Sequence, residues 1–249
     1  MSVQITTAFV EQYKGNVEHL VQQKGSRLRD CVSLETVTGK NAYFEQIGST
    51  SAQQRTSRHA DTPRMDTPHA RRRVSLVDYD WADLIDSEDR VRMLIDPTGP
   101  YSTACANAMG RSMDDVIVAA ADGTAFTGVA GGTSTAYAAA MTVDVQVGIS
   151  PAADTGLNIG KLRAAKKNLD ANEAEDDDRY MIINAMQLSN LLAETEITSS
   201  DFNTVKALVA GEVNTFMGFM IKRTERIAVD SNSDDKVLYW QKSGMKLAV

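Results

Sequence analysis

The stretch PYSTACANAMGRSMDDVIVAAAD, residues 100–122, carries the longest helical pattern in the chain. Tyr101, Cys105, Ala108, Met109, Ser112, Met113, Val116, Ile117 and Ala120 recur every three or four residues and make one stripe. Thr103, Asn107, Arg111, Asp114 and Asp115 populate the other faces. Pro100 suits a first helical position, and Asp122-Gly123 ends the pattern. A helix of about 22 residues over 100–121 is a rod of roughly 33 Å, and the rest of the chain is read outward from it.

Upstream, Asp80 is placed to cap a helix starting at Trp81, and a second short helix fits Ser87 to Ile95 before Asp96-Pro97 stops it. Before that come two extended patterns. Val32, Leu34 and Thr36 alternate with polar residues, Gly39-Lys40 marks a turn, and Ala42 and Phe44 resume; alternation returns at Val74, Leu76 and Asp78. Between them, Gly48 to Arg73 is polar, with Met65 its only large aliphatic residue. A polar tip that long is uncommon in a compact domain. A two-stranded arm cannot bury its own faces, so it needs another surface to lie against. Phe9, Tyr13, Val17, Leu20 and Val21 give residues 8–24 an amphipathic helical pattern, interrupted by Gly15. This helix fits either the body of its own chain or a neighbour.

Downstream, the glycine-rich run GTAFTGVAGGTST, residues 123–135, reads as a turn between the long helix and a strand at Val143, Val145 and Val147. A helix is predicted from Leu157 to Leu169, with Lys161, Arg163, Lys166 and Lys167 on its polar side. The acidic run Glu173 to Asp178 reads as a solvated boundary. Beyond it strands and helices alternate: a buried strand Tyr180–Ile183, a helix from Asn184, a helix from Asp201 to Val209, and strands at Phe216–Ile221 and Val237–Trp240. The fold class is α+β.

The composition excludes several functions. The 249 residues are 43% hydrophobic and 24% charged, with a formal net charge of −7, which argues against coating nucleic acid by bulk charge. Cys31 and Cys105 have neither CxxC nor Cys/His spacing, so no metal site or disulfide framework is expected. The N-terminus lacks a secretion-signal pattern, and no apolar run approaches the roughly 18 residues of a membrane span, so a cytoplasmic protein with no membrane partner is expected. The glycine-rich run has neither GxxxxGK[ST] nor GxGxxG. Of the three histidines, His19 lies on the N-terminal helix, and His59 and His69 lie in the polar tip without an acid–base partner. No catalytic residue, cofactor or metal is expected.

The tip is basic through Arg55, Arg58, Arg64, Arg71, Arg72 and Arg73. Nucleic acid and an acidic face of another copy are both partners for such a segment. No aromatic residue interleaves with these arginines, as base stacking would require, and protein–protein contact is favoured.

The passage GEVNTFMGFMI, residues 211–221, and the passage DPTGP, residues 96–100, leading into Gly110-Arg111 and Asp114-Asp115, are similar to passages of tailed-bacteriophage major capsid proteins. The order of segments resembles that family, of the podovirus type. The resemblance implies an N-terminal arm over 1–30, an extended loop over 31–80, a peripheral domain over 81–177 with spine helix 100–121, and an axial domain over 178–249. Phe216, Phe219 and Ile221 would form the axial core, with Gly218 permitting close backbone approach. Phe9, Tyr13 and the six arginines would contact neighbours.

The implied function is a non-enzymatic virion protein assembling as pentamers and hexamers into an icosahedral shell around double-stranded DNA, in the cytoplasm of a bacterial host. Scaffold, portal and cement proteins are implied partners. Family members usually continue past the axial domain to complete the peripheral sheet, so either this member is short or the chain is cut or processed at 249 and a return segment follows in the full protein. The alternatives are an encapsulin-like compartment shell and a nucleic-acid-binding protein using residues 55–73.

Overall fold

The computed structural model describes residues 22–58, 61–62, 64–84, 98–147, 155–193, 215–227, 229 and 234–249. Two compact units divide the chain, one drawn from residues 1–26 and 79–112, the other from 27–78 and 113–249. The helices predicted over 8–24, Ser87–Ile95 and Asp201–Val209 lie wholly or mostly outside the described residues.

In the larger unit a four-stranded sheet runs in the order β7 (Thr215–Phe216), β8 (Phe219–Arg223), β6 (Arg179–Ile183), β9 (Leu238–Gln241). Strand β6 lies between β8, which is parallel to it, and β9, which is antiparallel. Alternate residues of these strands serve two cores. Met181, Ile183, Phe219 and Ile221 pack with Leu162 and Ala165 of helix α2 (Ile159–Ala171) and with Leu188 and Leu191 of helix α3 (Ala185–Ala193). Tyr180, Ile182, Leu238 and Trp240 face the other way, onto Leu28, Cys31, Val32, Ile117 and Val118. A strand covered on both faces needs an unbroken apolar run, which is why Tyr180–Ile183 reads continuously rather than alternating. Trp240 Nε1 donates to the Cys31 carbonyl at 2.9 Å, so its polar edge is satisfied in the core. Burial pushes the Cys31 thiol up from 9.0 to about 11.

Local chemistry fixes the element ends. Asn184 and Gln187 cap α3 reciprocally: the Gln187 amide donates to Asn184 Oδ1 at 2.8 Å and the Asn184 amide to Gln187 Oε1 at 2.9 Å. Asn158 caps α2 by accepting from the Lys161 amide at 2.8 Å. Phe216–Ile221 is two strands rather than one, joined by a two-residue turn at Met217 and Gly218 with φ of +52° and +86°. That pair of angles suits a hairpin of the primed type. Gly218 is needed for its φ; a Cβ there would meet only Lys166 Nζ, at 3.7 Å.

The acidic side chains of the run 173–178 are all exposed, in keeping with a solvated run, and its backbone wraps Arg179. This arginine opens β6 and is 2% exposed. Its guanidinium donates to Asp170 Oδ1 at 2.5 Å, to the Ala174 carbonyl at 2.6 Å and to the Glu175 carbonyl at 2.8 Å, and it pairs with Asp176 at 3.1 Å. A buried charge must be paired and hydrogen-bonded, and this turn does both.

The long helix α1 (Thr98–Ala121) is present, with a different buried face from the one predicted. Its buried residues are Asn107, Gly110, Asp114, Ile117 and Val118, while Val116 is 36% exposed. The apolar stripe is a poor guide because residues 22–28 bond to a polar strip of the helix. In the smaller unit, Asn107 Oδ1 accepts from the Gly25 amide at 3.0 Å, and Arg111 Nη1 donates to Gln22 Oε1 at 2.7 Å. A Cβ on Gly110 would fall 2.6 Å from the Ser26 nitrogen and 2.7 Å from Gly25 Cα, so only glycine fits there. In the larger unit, Asp114, 0% exposed, accepts from the Arg27 amide at 3.0 Å and the Leu28 amide at 3.1 Å.

Other expectations fail for stated reasons. Val143–Val147 forms no strand: the Asp144 side chain accepts from the Gln146 amide at 3.1 Å, turning the backbone locally. Met141, Val143, Val145 and Val147 are still the less exposed residues there, so alternation predicted facing without pairing. Residues 81–84 carry no helix. The glycine-rich run is itself a hairpin, β4 (Ala125–Thr127) with β5 (Thr133–Thr135).

Candidate inter-subunit surface

The extended run over 31–47 splits into two strands with different destinations. Strand β1 (Ser33–Glu35) pairs in parallel with β10 (Lys246–Ala248), and Lys246 Nζ reaches Glu35 at 2.9 Å. Gly39, at φ +109°, lies in the turn between it and β2 (Asn41–Ile47). Strand β2 pairs antiparallel with β3 (His69–Ser75), from Asn41 opposite Ser75 to Ile47 opposite His69. Gly48 donates its amide to the Pro68 carbonyl at 2.8 Å and closes the far end, and Leu76 donates to the Lys40 carbonyl at 3.0 Å at the base. The arm is therefore 41–75, and its polar tip is 48–68.

No residue of β2 or β3 is buried, and Tyr43 and Ile47 are 46% and 69% exposed. The described tip residues are all exposed. Strand β3 continues the sheet through β4, with Arg72 opposite Thr127 and Arg73 opposite Phe126, giving the order β2-β3-β4-β5.

The six arginines divide into two groups. Arg71, Arg72 and Arg73 lie in β3 rather than in the tip, because the strand begins at His69. Arg71 pairs with Glu45 across the hairpin, donates to the Val129 carbonyl at 3.2 Å and lies 5.7 Å from the Tyr43 ring centre. Arg73 stands 5.0 Å from the Phe126 ring centre. Its stem fills the space left by Gly131, where a Cβ would fall 2.5 Å from Arg73 Cβ. Arg72 is exposed, as are Arg55, Arg58 and Arg64 of the tip; Arg55 Nε donates to the Ser57 carbonyl at 3.1 Å. Phe9 and Tyr13 lie outside the described residues. Phe219 is 0% exposed, Ile221 is 7% exposed, and Phe216 is half-buried against the same core.

The sequence reading passed over Asn107, Asp114 and Arg179. Asn107 and Asp114 lie off the apolar stripe and Arg179 adjoins the acidic run, so local spacing did not mark any of them for burial.

Among the described residues no cluster of His, Cys, Asp and Glu could hold a metal ion, and no helix is long and apolar enough to cross a membrane. The fold is similar to the capsid of the cyanophage P-SCSP1u, at a TM-score of 0.68 and 19% identity over 98% of this chain and 80% of that one. It is similar also to the capsid of Ralstonia phage GP4, at a TM-score of 0.70 and 10% identity over 96% of this chain and 81% of that one. The mature capsid of bacteriophage PhiM1 matches at a TM-score of 0.63 and 13% identity, over 94% and 77%. No curated protein matches the sequence.

The family model of the phage capsid protein matches residues 5–249, and the chain belongs to that family. It is a structural major capsid protein of a bacteriophage, non-enzymatic, which self-assembles into the virion shell. The compartment and nucleic-acid-binding alternatives gain nothing from this membership, and Arg71 and Arg73 are held by contacts within the chain.

Proposed function

We propose that copies of this chain form pentamers and hexamers that close an icosahedral shell around double-stranded DNA, with the arm of each copy laid over the adjacent subunit. The observation that carries this reading is the hairpin 41–75, which has seven residue pairs of ladder and no buried residue among those described. Only Arg72 and Arg73 of it pair with β4, and a sheet without a buried face is marginal in water, so an outer surface has to stabilise it. The arm has six arginines against Glu45, Asp61 and Asp66, so the overall −7 leaves the remainder at −10. Opposite charge between arm and body favours contact between copies and sets its register. Such a contact joins two different surfaces and closes into rings.

In this reading residues 1–30 are the N-terminal arm, with Phe9 and Tyr13 on a neighbour. The extended loop is 31–80, with its free part beginning at Asn41. Residues 81–177 form the peripheral domain and 178–249 the axial domain, with Phe216, Phe219 and Ile221 at its core; Gly218, expected there, is exposed in the turn between β7 and β8. Scaffold, portal and cement proteins and DNA on the inner surface are the further partners, and assembly takes place in the bacterial cytoplasm.

The test is to replace 49–67 by a short glycine linker and compare particles by light scattering and negative-stain microscopy. The natural chain is expected to give megadalton shells. The shortened chain is expected to fold, with an unchanged circular dichroism spectrum, and to give no shells. Normal shells from the shortened chain would remove the arm from the assembly mechanism.

A further inference from the structure

We propose that Tyr79–Leu84, just beyond the arm, is the seat on which the arm tip of a second copy lands. Three large apolar side chains stand in solvent there: Tyr79 at 48%, Trp81 at 41% and Leu84 at 98%. So many exposed apolar groups in six residues mark an interaction surface. Asp80 and Asp83 stand among them, both exposed, and neither makes an ion pair among the described residues.

The occupant follows from charge and from the chain's own habits. Arg58 and Arg64 of the tip are exposed and have no ion pair among the described residues. Elsewhere in the chain, cations are placed over aromatic rings: Arg71 over Tyr43, Arg73 over Phe126, and Lys246 over Phe44 at 5.0 Å. A seat of Tyr79 and Trp81 flanked by carboxylates offers the tip arginines ring faces and counter-charges together. DNA is a poor occupant, because the two aspartates repel phosphate.

Pairing of tip with seat between copies is head to tail, the geometry that closes a ring. This inference rests on the arm-over-neighbour reading and adds the receiving surface to it.

Charge reversal in the full chain tests it. Arg58→Glu with Arg64→Glu, and separately Asp80→Lys with Asp83→Lys, are each expected to cut shell yield by roughly tenfold or more, since like charges meet at the contact. All four changes in one chain are expected to restore shells. Shells that survive the tip reversal undiminished overturn the arm reading itself. Loss with the tip reversal, and no rescue by the four-fold swap, overturns the seat and leaves the arm reading in place.

A second measurement covers a variant that does not fold. Arg64→Cys and Asp80→Cys are placed together on a Cys105→Ser background, where buried Cys31 is the only other thiol. Oxidised shells are expected to run as a ladder of linked subunits on a non-reducing gel. A single monomer band from intact shells overturns the seat.

Discussion

Strand β6 and the arm hairpin answer the same backbone requirement in opposite ways. In β6 all five residues are buried, including a charged one, and ladders on both sides satisfy the backbone. In β2 and β3, seven residues each, none is buried and side chains stay in solvent on both faces. The difference teaches where the subunit's stability resides. The doubly covered sheet holds the fold by apolar burial, while the arm holds its shape by a ladder and a few cation–ring contacts. The arm's exposed side chains remain available for a neighbour. A shell subunit needs both: a body that folds alone and an edge that is incomplete alone.

The largest effect should come from breaking the covered sheet. Phe219→Ala removes a fully buried ring and is expected to cost about 3–5 kcal/mol, read as a lower urea midpoint or as insoluble expression. Asp114→Ala comes next. It leaves the Arg27 and Leu28 amides without their acceptor, at about 1–3 kcal/mol, and hydrogen exchange at those two amides should rise.

Alkaline pH is a milder way to strain the same core. The buried Cys31 thiol holds its proton to about pH 11, whereas the unfolded thiol ionises from 9.0. The unfolded state is therefore favoured progressively from pH 9 to 11, by about 1 kcal/mol at pH 10. A Cys31→Ala variant should lose that part of the pH dependence in urea melts. Glu45→Ala in the arm breaks an exposed ion pair with Arg71 and should change subunit stability by less than about 1 kcal/mol. Equal losses from Glu45→Ala and Phe219→Ala would abolish the contrast between the two regions.

The long helix, the buried strand at Tyr180–Ile183, the two helices that follow residues 158 and 184, and the presence of an exposed two-stranded arm were all legible in the sequence. Helical and alternating spacing report how a segment's own side chains are distributed, and these segments obey their spacing. The arginines were harder. Periodicity stops short at Ala70–Arg73 because an exposed strand has no apolar face to display, so the tip was drawn too long and three arginines were assigned to it. Val143–Val147 misled in the other direction, since alternating burial does not require a strand partner.

The sequence by itself determined the class of fold, the division between a coreless arm and a core-bearing body, and the family to which the chain belongs. Composition and periodicity act locally and gave the first two, while the family came from the resemblance of the passages 96–100 and 211–221. Only the tertiary structure decided which face of the helix is buried, what the acidic run encloses, and where Ser33–Glu35 pairs. Asn107, Gly110, Asp114 and Arg179 are buried because a distant backbone or a neighbouring turn supplies their partners. A polar residue is expected outside until such a partner is known, since burial without one costs more than burial gains. The partner's identity depends on long-range chain geometry that no window of residues contains.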